Sequence, residues 1–309
     1  MAHRAVVSVT QDRANGNLMR RAAMASLGVS VLLVAAKFAA FLATNSVAML
    51  ASLADSGLDL FTSSINLVAI RSALTPPDAE HRFGHGKAEP LAGLAQGAFI
   101  AGSAVFVAIE AINRFFEPHP LERAGIGLAV MALSIVAAGG LVLYQRMVVA
   151  RTHSPAIGAD RTHYIGDLAT NLGVVLSIIL VTRFNLPLAD PIIGLVIAVF
   201  LGWNAWHVFR DSSNQLMDHE LPDDARAKIK NIVMRHAEVR NLHDLRTRAA
   251  GTDTFIQLHI EMDADLSLIR AHEVSDAVEA DICAAFPHAE VMIHQDPAGV
   301  EMPPALAKV

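Results

Sequence analysis

Cysteine is almost missing: Cys283 is the single one in 309 residues. One thiol excludes an intramolecular disulfide and any cysteine-rich zinc site, so a metal held here must be held by His and Asp. Charge is also scarce, at 17% Asp, Glu, Lys and Arg. Half of it lies after residue 210, and most of the rest lies outside the apolar runs. The net charge is −6 with no basic block, which argues against nucleic acid as a partner. No short basic segment leads straight into an apolar core and a small-residue cleavage site, so no cleaved signal peptide is expected. There is no H-E-x-x-H and no G-x-S-x-G, which removes two common hydrolase chemistries.

What the chain has is apolar sequence: 53% hydrophobic residues and a mean hydropathy of +0.41, both above the range of a soluble domain. It falls into six runs, at 22–43, 47–71, 90–113, 124–146, 160–182 and 191–209. Each is near the ~20 residues that cross a bilayer as a helix. Residues 1–20 read as a loose polar tail. The layout expected is an N-terminal cytoplasmic tail (1–21), a six-helix transmembrane domain (22–210), a cytoplasmic α+β domain (211–296) and a C-terminal tail (297–309).

Cationic residues set the orientation. Arg4, Arg13, Arg20 and Arg21 precede the first run; Arg71, Arg82 and Lys87 lie between the second and third; Arg146, Arg151 and Arg161 lie between the fourth and fifth. The opposite side has Arg114, Arg123 and Arg183. Both termini are therefore expected in the cytoplasm, in what reads as a bacterial inner membrane. Lys37, inside the first run, reads as snorkelling or paired within the bundle. Gly125, Gly127, Gly139 and Gly140 mark the fourth run as a place of close helix approach. Trp203 and Trp206 suit an interfacial belt. Turns are expected at Thr44-Asn45-Ser46 and from Phe184 to Asp190.

The second run, VAMLASLADSGLDLFTSSINLVAIR, carries Asp55 and Asp59 near its middle. A charge at bilayer depth costs at least about 2.5–3.5 kcal/mol. Four residues of helix turn by one turn plus about 40°, so both carboxylates share one face with Ser52, Thr62, Ser63 and Asn66. The fifth run repeats the spacing with His163 and Asp167. Two helices with two donors each make a four-ligand tetrahedral site, and an imidazole with three carboxylates suits a divalent transition metal, zinc above all. Three carboxylates exceed one divalent charge, so the emptied site favours proton uptake.

Beyond residue 210 the pattern changes. Leu221-Pro222-Asp223-Asp224 starts a helix over 222–237. Strands are expected at 242–249 and 254–262 around Ala250-Gly251-Thr252, then a helix at 268–285 and a strand at 289–295. In the second strand Ile256, Leu258, Ile260 and Met262 alternate with Phe255, Gln257, His259 and Glu261. His294 and Asp296 are two apart and share a face. A domain this small calls for dimerisation or metal to steady it.

The segments SLADSGLDLFTSSINL, HRFGHGKAEPL, HYIGDLATNLGV, HDLRTR, FIQLHIEM and IHQDP together resemble the cation diffusion facilitator family, in its bacterial zinc and ferrous-iron efflux branch. The resemblance implies a homodimer with six transmembrane helices and a ferredoxin-like, metallochaperone-like cytoplasmic domain, exchanging a divalent metal for protons. It makes Asp55, Asp59, His163 and Asp167 the transport site. Asp rather than His at position 55 widens the metals to zinc, cadmium and iron. It implies a second metal at Asp78, His81 and His85, and a two-zinc site across the domain dimer from His243, His259, His272, His294 and Asp296. It also implies a structural pair between Lys87 and Asp218.

Other function classes fit these residues less well. The loop's GHGK lacks the earlier glycine of a phosphate loop and has Ala88 where Ser or Thr is needed, so no nucleotide is expected. An intramembrane metalloenzyme lacks a separate general base, and four protein ligands close the metal to water. A membrane-anchored metal sensor or metal-binding scaffold, working through the cytoplasmic domain, is the remaining alternative; it leaves the carboxylates within the spans without a purpose.

Overall fold

The computed structural model describes residues 2–44, 47–116, 125–184, 186 and 188–299. Two compact units divide at Ser213/Asn214. The first holds six long helices: α1 (Ala2–Thr44), α2 (Val47–Ala73), α3 (Ala88–Phe116), α4 (Gly125–Thr152), α5 (Pro155–Phe184) and α6 (Ala189–Leu216), whose last turn runs past the division. The second holds α7 (Asp223–Val233), β1 (Val239–Ala250), β2 (Asp253–Met262), α8 (Leu268–Ala285) and β3 (Ala289–Pro297).

Among the described residues, four stretches are long and apolar enough to cross a membrane: Ala14–Ala43, Ala88–Phe116, Ala129–Thr152 and Pro191–Leu216. α2 and α5, which carry the carboxylates, are not among them. Both carry charged side chains along their length, Asp55, Asp59 and Arg71 in α2 and Asp160, Arg161 and Asp167 in α5. Outward side chains such as Phe106, Val136, Leu143 and Val199 are exposed, as lipid-facing residues are.

Some expectations change. Residues 2–20, expected as a loose tail, belong to α1 without a break. Its Ala, Arg, Gln and Met residues favour helix, and no proline interrupts it. α7 ends at Val233, four residues before the expected end, and a turn leads into β1 at Val239. Gly139 and Gly140 face open space. Close approach occurs elsewhere: a Cβ on Gly97 of α3 would lie 3.4 Å from the backbone nitrogen of Phe209 on α6. Sequence identifies small residues but not the face they sit on. Asn45, Ser46, Asn185, Pro187, the 117–124 connection and the tail from 300 onward lie outside the described residues.

Local signals explain where elements begin. Ser154 precedes Pro155 at the first position of α5, and its hydroxyl accepts from the Ile157 N–H at 3.3 Å. The same hydroxyl donates to Glu89 at the start of α3. Ser267 caps α8 by accepting from the Arg270 N–H at 3.3 Å. Lys37 is 9% exposed and donates from Nζ to the Ser52 carbonyl at 3.2 Å, so it ties α1 to α2.

In the second unit the sheet order is β1-β2-β3, with β1 antiparallel and β3 parallel to β2. Ile256, Leu258, Ile260 and Met262 of β2 pack with Ile229 and Val233 of α7 and with Val274, Val278 and Ile282 of α8. Both helices thus cover the even-numbered face of β2, and each fully buried aliphatic side chain there contributes about 1.5–3 kcal/mol. The register places His243 opposite His259 and His259 opposite His294, a row of three imidazoles across the other face.

Candidate metal centres

In the first unit, donor atoms of Asp59, His163 and Asp167 all lie within 4.8 Å of one another. His163 Nε2 is 3.0 Å from Asp59 Oδ1 and 3.7 Å from Asp167 Oδ2. Asp59 and His163 are buried, at 7% and 8% exposure. Asp59 comes from α2; His163 and Asp167, one turn apart, come from α5. Asp55, one turn earlier on α2, is exposed and stands outside this group of three.

Around the group lies a polar layer the sequence reading missed. Asp160, fully buried on α5, accepts from Gln96 Nε2 of α3 at 3.0 Å and from Gln145 Nε2 of α4 at 2.6 Å. The Tyr164 hydroxyl is 2.7 Å from Ser30 Oγ, 3.2 Å from Ser63 Oγ and 3.3 Å from Ser26 Oγ. Thr62, on the predicted polar stripe, donates to the Asp59 carbonyl at 3.0 Å. One signal for this layer was in reach: Asp160 is a second carboxylate in the fifth apolar run, at its edge and one turn from His163.

The loop between α2 and α3 makes a second cluster, of Asp78, His81 and His85. His81 Nδ1 and His85 Nε2 approach Asp78 at 3.4 and 3.5 Å. Asp78 also accepts the backbone N–H groups of Glu80 (2.9 Å) and His81 (2.6 Å). Those donations, the one from His81 above all, hold its carboxyl below the usual carboxylate range. Gly84, at φ 77°, turns the chain so that the second imidazole returns to the first.

The third cluster is on the open face of the sheet in the second unit, where His243, His259 and Asp296 converge. Asp296 Oδ2 lies 2.8 Å from His259 Nδ1 and 3.2 Å from His243 Nε2, and its Oδ1 lies 3.4 Å from His294 Nε2. His243 is buried, and neither of its ring nitrogens makes a hydrogen bond among the described residues. A buried imidazole left in that state beside a carboxylate and a second imidazole fits a divalent transition metal. His272 is apart from them, on α8, 3.5 Å from Asp276. Asp218 approaches Arg248 at 3.4 Å. The sequence reading did not single out Asp244, whose Oδ2 is 3.8 Å from His259 Nε2.

Family models match both units of the chain. Residues 23–217 match the cation efflux transmembrane domain, and residues 221–298 match the cytoplasmic domain of cation efflux proteins. The cation-efflux pump FieF of Shewanella oneidensis is 43% identical over 283 residues, covering 92% of this chain and 95% of the relative. FieF of Klebsiella pneumoniae is 40% identical over 289 residues, covering 94% and 96%. Protein p34 of Rickettsia rickettsii is 39% identical over 284 residues, covering 92% and 94%. Among solved structures, the metal-bound C-terminal domain of the CzcD transporter from Thermotoga maritima is 31% identical, with a TM-score of 0.25, covering 26% of this chain and 93% of that one. With carboxylates and a histidine gathered between long membrane helices and a small α+β unit following them, this chain belongs to the cation diffusion facilitator family of cation-efflux transporters.

Proposed function

We propose that this chain exports a divalent transition metal in exchange for protons, with zinc as the first substrate and cadmium or ferrous iron accepted beside it. The observation that carries the reading is the convergence of Asp59, His163 and Asp167 from two helices. Asp55, one turn before Asp59, completes a four-donor set when α2 and α5 close on the ion. With a neutral imidazole and three carboxylates, the occupied site is near −1 and the emptied one near −3. Protons then compete for the same donors and expel the metal, which couples the two flows. α2 and α5 act as the fifth and sixth spans beside the four apolar ones. They alternate between a cytoplasmic and an outward opening, with both termini cytoplasmic in a bacterial inner membrane.

The chain works as a homodimer in this reading. The loop cluster binds a further metal, and metal on the cytoplasmic sheet steadies the dimer, with His272 supplied by the second copy. Lys87 and Asp218 pair near the membrane face of the dimer.

Flux measurements test the reading. Purified protein is placed in liposomes holding a zinc-sensitive dye under an imposed pH gradient, and wild type is compared with Asp59→Ala. Zinc entry that follows the gradient and stops in the variant supports it. Zinc binding with no zinc movement under any gradient would move attention to the alternative, a sensor acting through the cytoplasmic domain.

A further inference from the structure

We infer that Asp244 is a positioning residue for the cytoplasmic cluster: it orients His259 toward the metal by holding the ring nitrogen that the metal does not use. The inference rests on the proposal above that this cluster binds metal.

The local backbone is built around Asp244. On β1 the register with β2 shifts between His243 and Arg246, so the strand carries one extra residue there. Asp244 sits in this bulge at φ 46°, in the left-handed region that side chains other than glycine seldom adopt. The bulge leaves Leu245 in the apolar core and His243 buried in the row of imidazoles. In a regular strand Asp244 would point to the face opposite His243. Here both residues approach His259: His243 with its ring centroid 4.9 Å away, and Asp244 with Oδ2 3.8 Å from Nε2.

Arg246 fixes the carboxylate. Its Nε donates to Asp244 Oδ1 at 2.9 Å and leaves Oδ2 for His259. The two nitrogens of His259 therefore face two carboxylates. Nδ1 faces Asp296 at 2.8 Å, on the side where His243 also converges, and Nε2 faces Asp244. With metal on the Nδ1 side, the ring proton is confined to Nε2. A shift of roughly 0.8 Å then turns 3.8 Å into an N–H···O hydrogen bond. A carboxylate behind a ligating imidazole fixes the tautomer and raises the ligand's basicity, and its loss typically weakens metal binding roughly 10- to 100-fold. Strained backbone at a charged residue persists where function holds it.

The test is zinc titration of the full-length protein in detergent, on an Asp59→Ala/His85→Ala background so that the remaining binding reports this cluster. The variants are His259→Ala, Asp244→Asn and Asp244→Gly. Asn tolerates the left-handed backbone and Gly is relaxed in it, so both are expected to fold. The expected result is loss of the zinc site in His259→Ala and roughly 10- to 100-fold weaker zinc in both Asp244 variants. Their melting temperature in excess chelator should be unchanged, or higher for Gly. If His259→Ala loses zinc while both Asp244 variants bind as the background does, the inference is overturned. It is also overturned if their metal-free melting temperature falls in step with affinity, since Asp244 is then only structural. If His259→Ala itself binds normally, the metal reading of the cluster fails first and the role of Asp244 falls with it.

Discussion

Gln145 Nε2 donates to Asp160 Oδ2 at 2.6 Å, so a glutamine of α4 and a carboxylate of α5 meet one turn from His163. Gln96 of α3 closes on the other oxygen, which makes Asp160 the joint of three helices. Both glutamines keep an Oε1 with no partner among the described residues. Asp160→Asn is therefore well tolerated: one glutamine amide reverses and accepts from the new side-chain NH2. Asp160→Leu strands two buried amides, at about 1–3 kcal/mol each. Thermal melts in detergent check this. Equal loss in Asn and Leu would refute the joint.

Tyr164→Phe is the milder change nearby. It removes a hydroxyl that reaches Ser26, Ser30 and Ser63 on α1 and α2. The serines retain each other, since Ser63 Oγ is 3.0 Å from both Ser26 and Ser30. The cost is then near that of a single hydrogen bond, about 0.5–1.5 kcal/mol. The expected outcome is a folded protein with a slightly lower melting temperature; collapse of the fold would show that the hydroxyls act as one network.

How far the sequence went depended on whether partners were local. Asp59, His163 and Asp167 were legible because helical spacing and the cost of charge in an apolar run both mark them. The strands of the cytoplasmic unit were legible from the period-two pattern that ends at Met262. Asp160 with Gln96 and Gln145 was not, because glutamine in an apolar run carries no spacing rule and the three come from three helices. Asp244 was invisible for a different reason. Regular alternation puts it opposite His243, and only the bulge brings the two to one imidazole. His272 was grouped with the cluster through the family resemblance, yet within one chain it stands on α8 beside Asp276. The length of α1 was missed because polar residues before a span read as a tail, although nothing in them breaks a helix.

Acid should weaken the cytoplasmic unit through two exposed pairs. Arg270 beside Glu238 and Arg240 beside Asp263 hold those carboxyls below their ordinary values of 4.5 and 3.8. A carboxyl lowered by folding adds stability that is complete above its unfolded value and disappears as pH falls through the folded one. The loss therefore begins below about pH 4.5 for Glu238 and below about 3.8 for Asp263. Glu238→Gln with Asp263→Asn should slightly lower the melting temperature at neutral pH, leave it unchanged where both carboxyls are already protonated, and so flatten the acid limb of the profile. Raised salt should imitate the double variant, because exposed pairs are screened. An unaltered acid limb in the double variant would assign it to other groups.

Acid release of metal from the loop cluster should be set by its imidazoles and not by Asp78. The Asp78 carboxyl is kept low by the backbone N–H groups of His81 and Glu80, so it stays ionised to lower pH than an ordinary carboxylate. A metal can use only a neutral imidazole, so an imidazole donor that takes up a proton is lost to the metal with no change at Asp78. Asp78→Asn should weaken zinc at the loop while leaving the pH midpoint of its release near that of wild type. His85→Ala should abolish loop binding, because Asp78 and His81 alone offer two donors. Neither change touches Asp59, His163 or Asp167, so zinc flux through the proposed pathway should persist in both. Zinc titrations of the full-length protein at several pH values, paired with liposome flux, measure the two effects separately. A midpoint that moves strongly in Asp78→Asn would mean that the carboxylate governs release. Lost flux in His85→Ala would mean that the loop hands metal to the membrane site and does not merely store it.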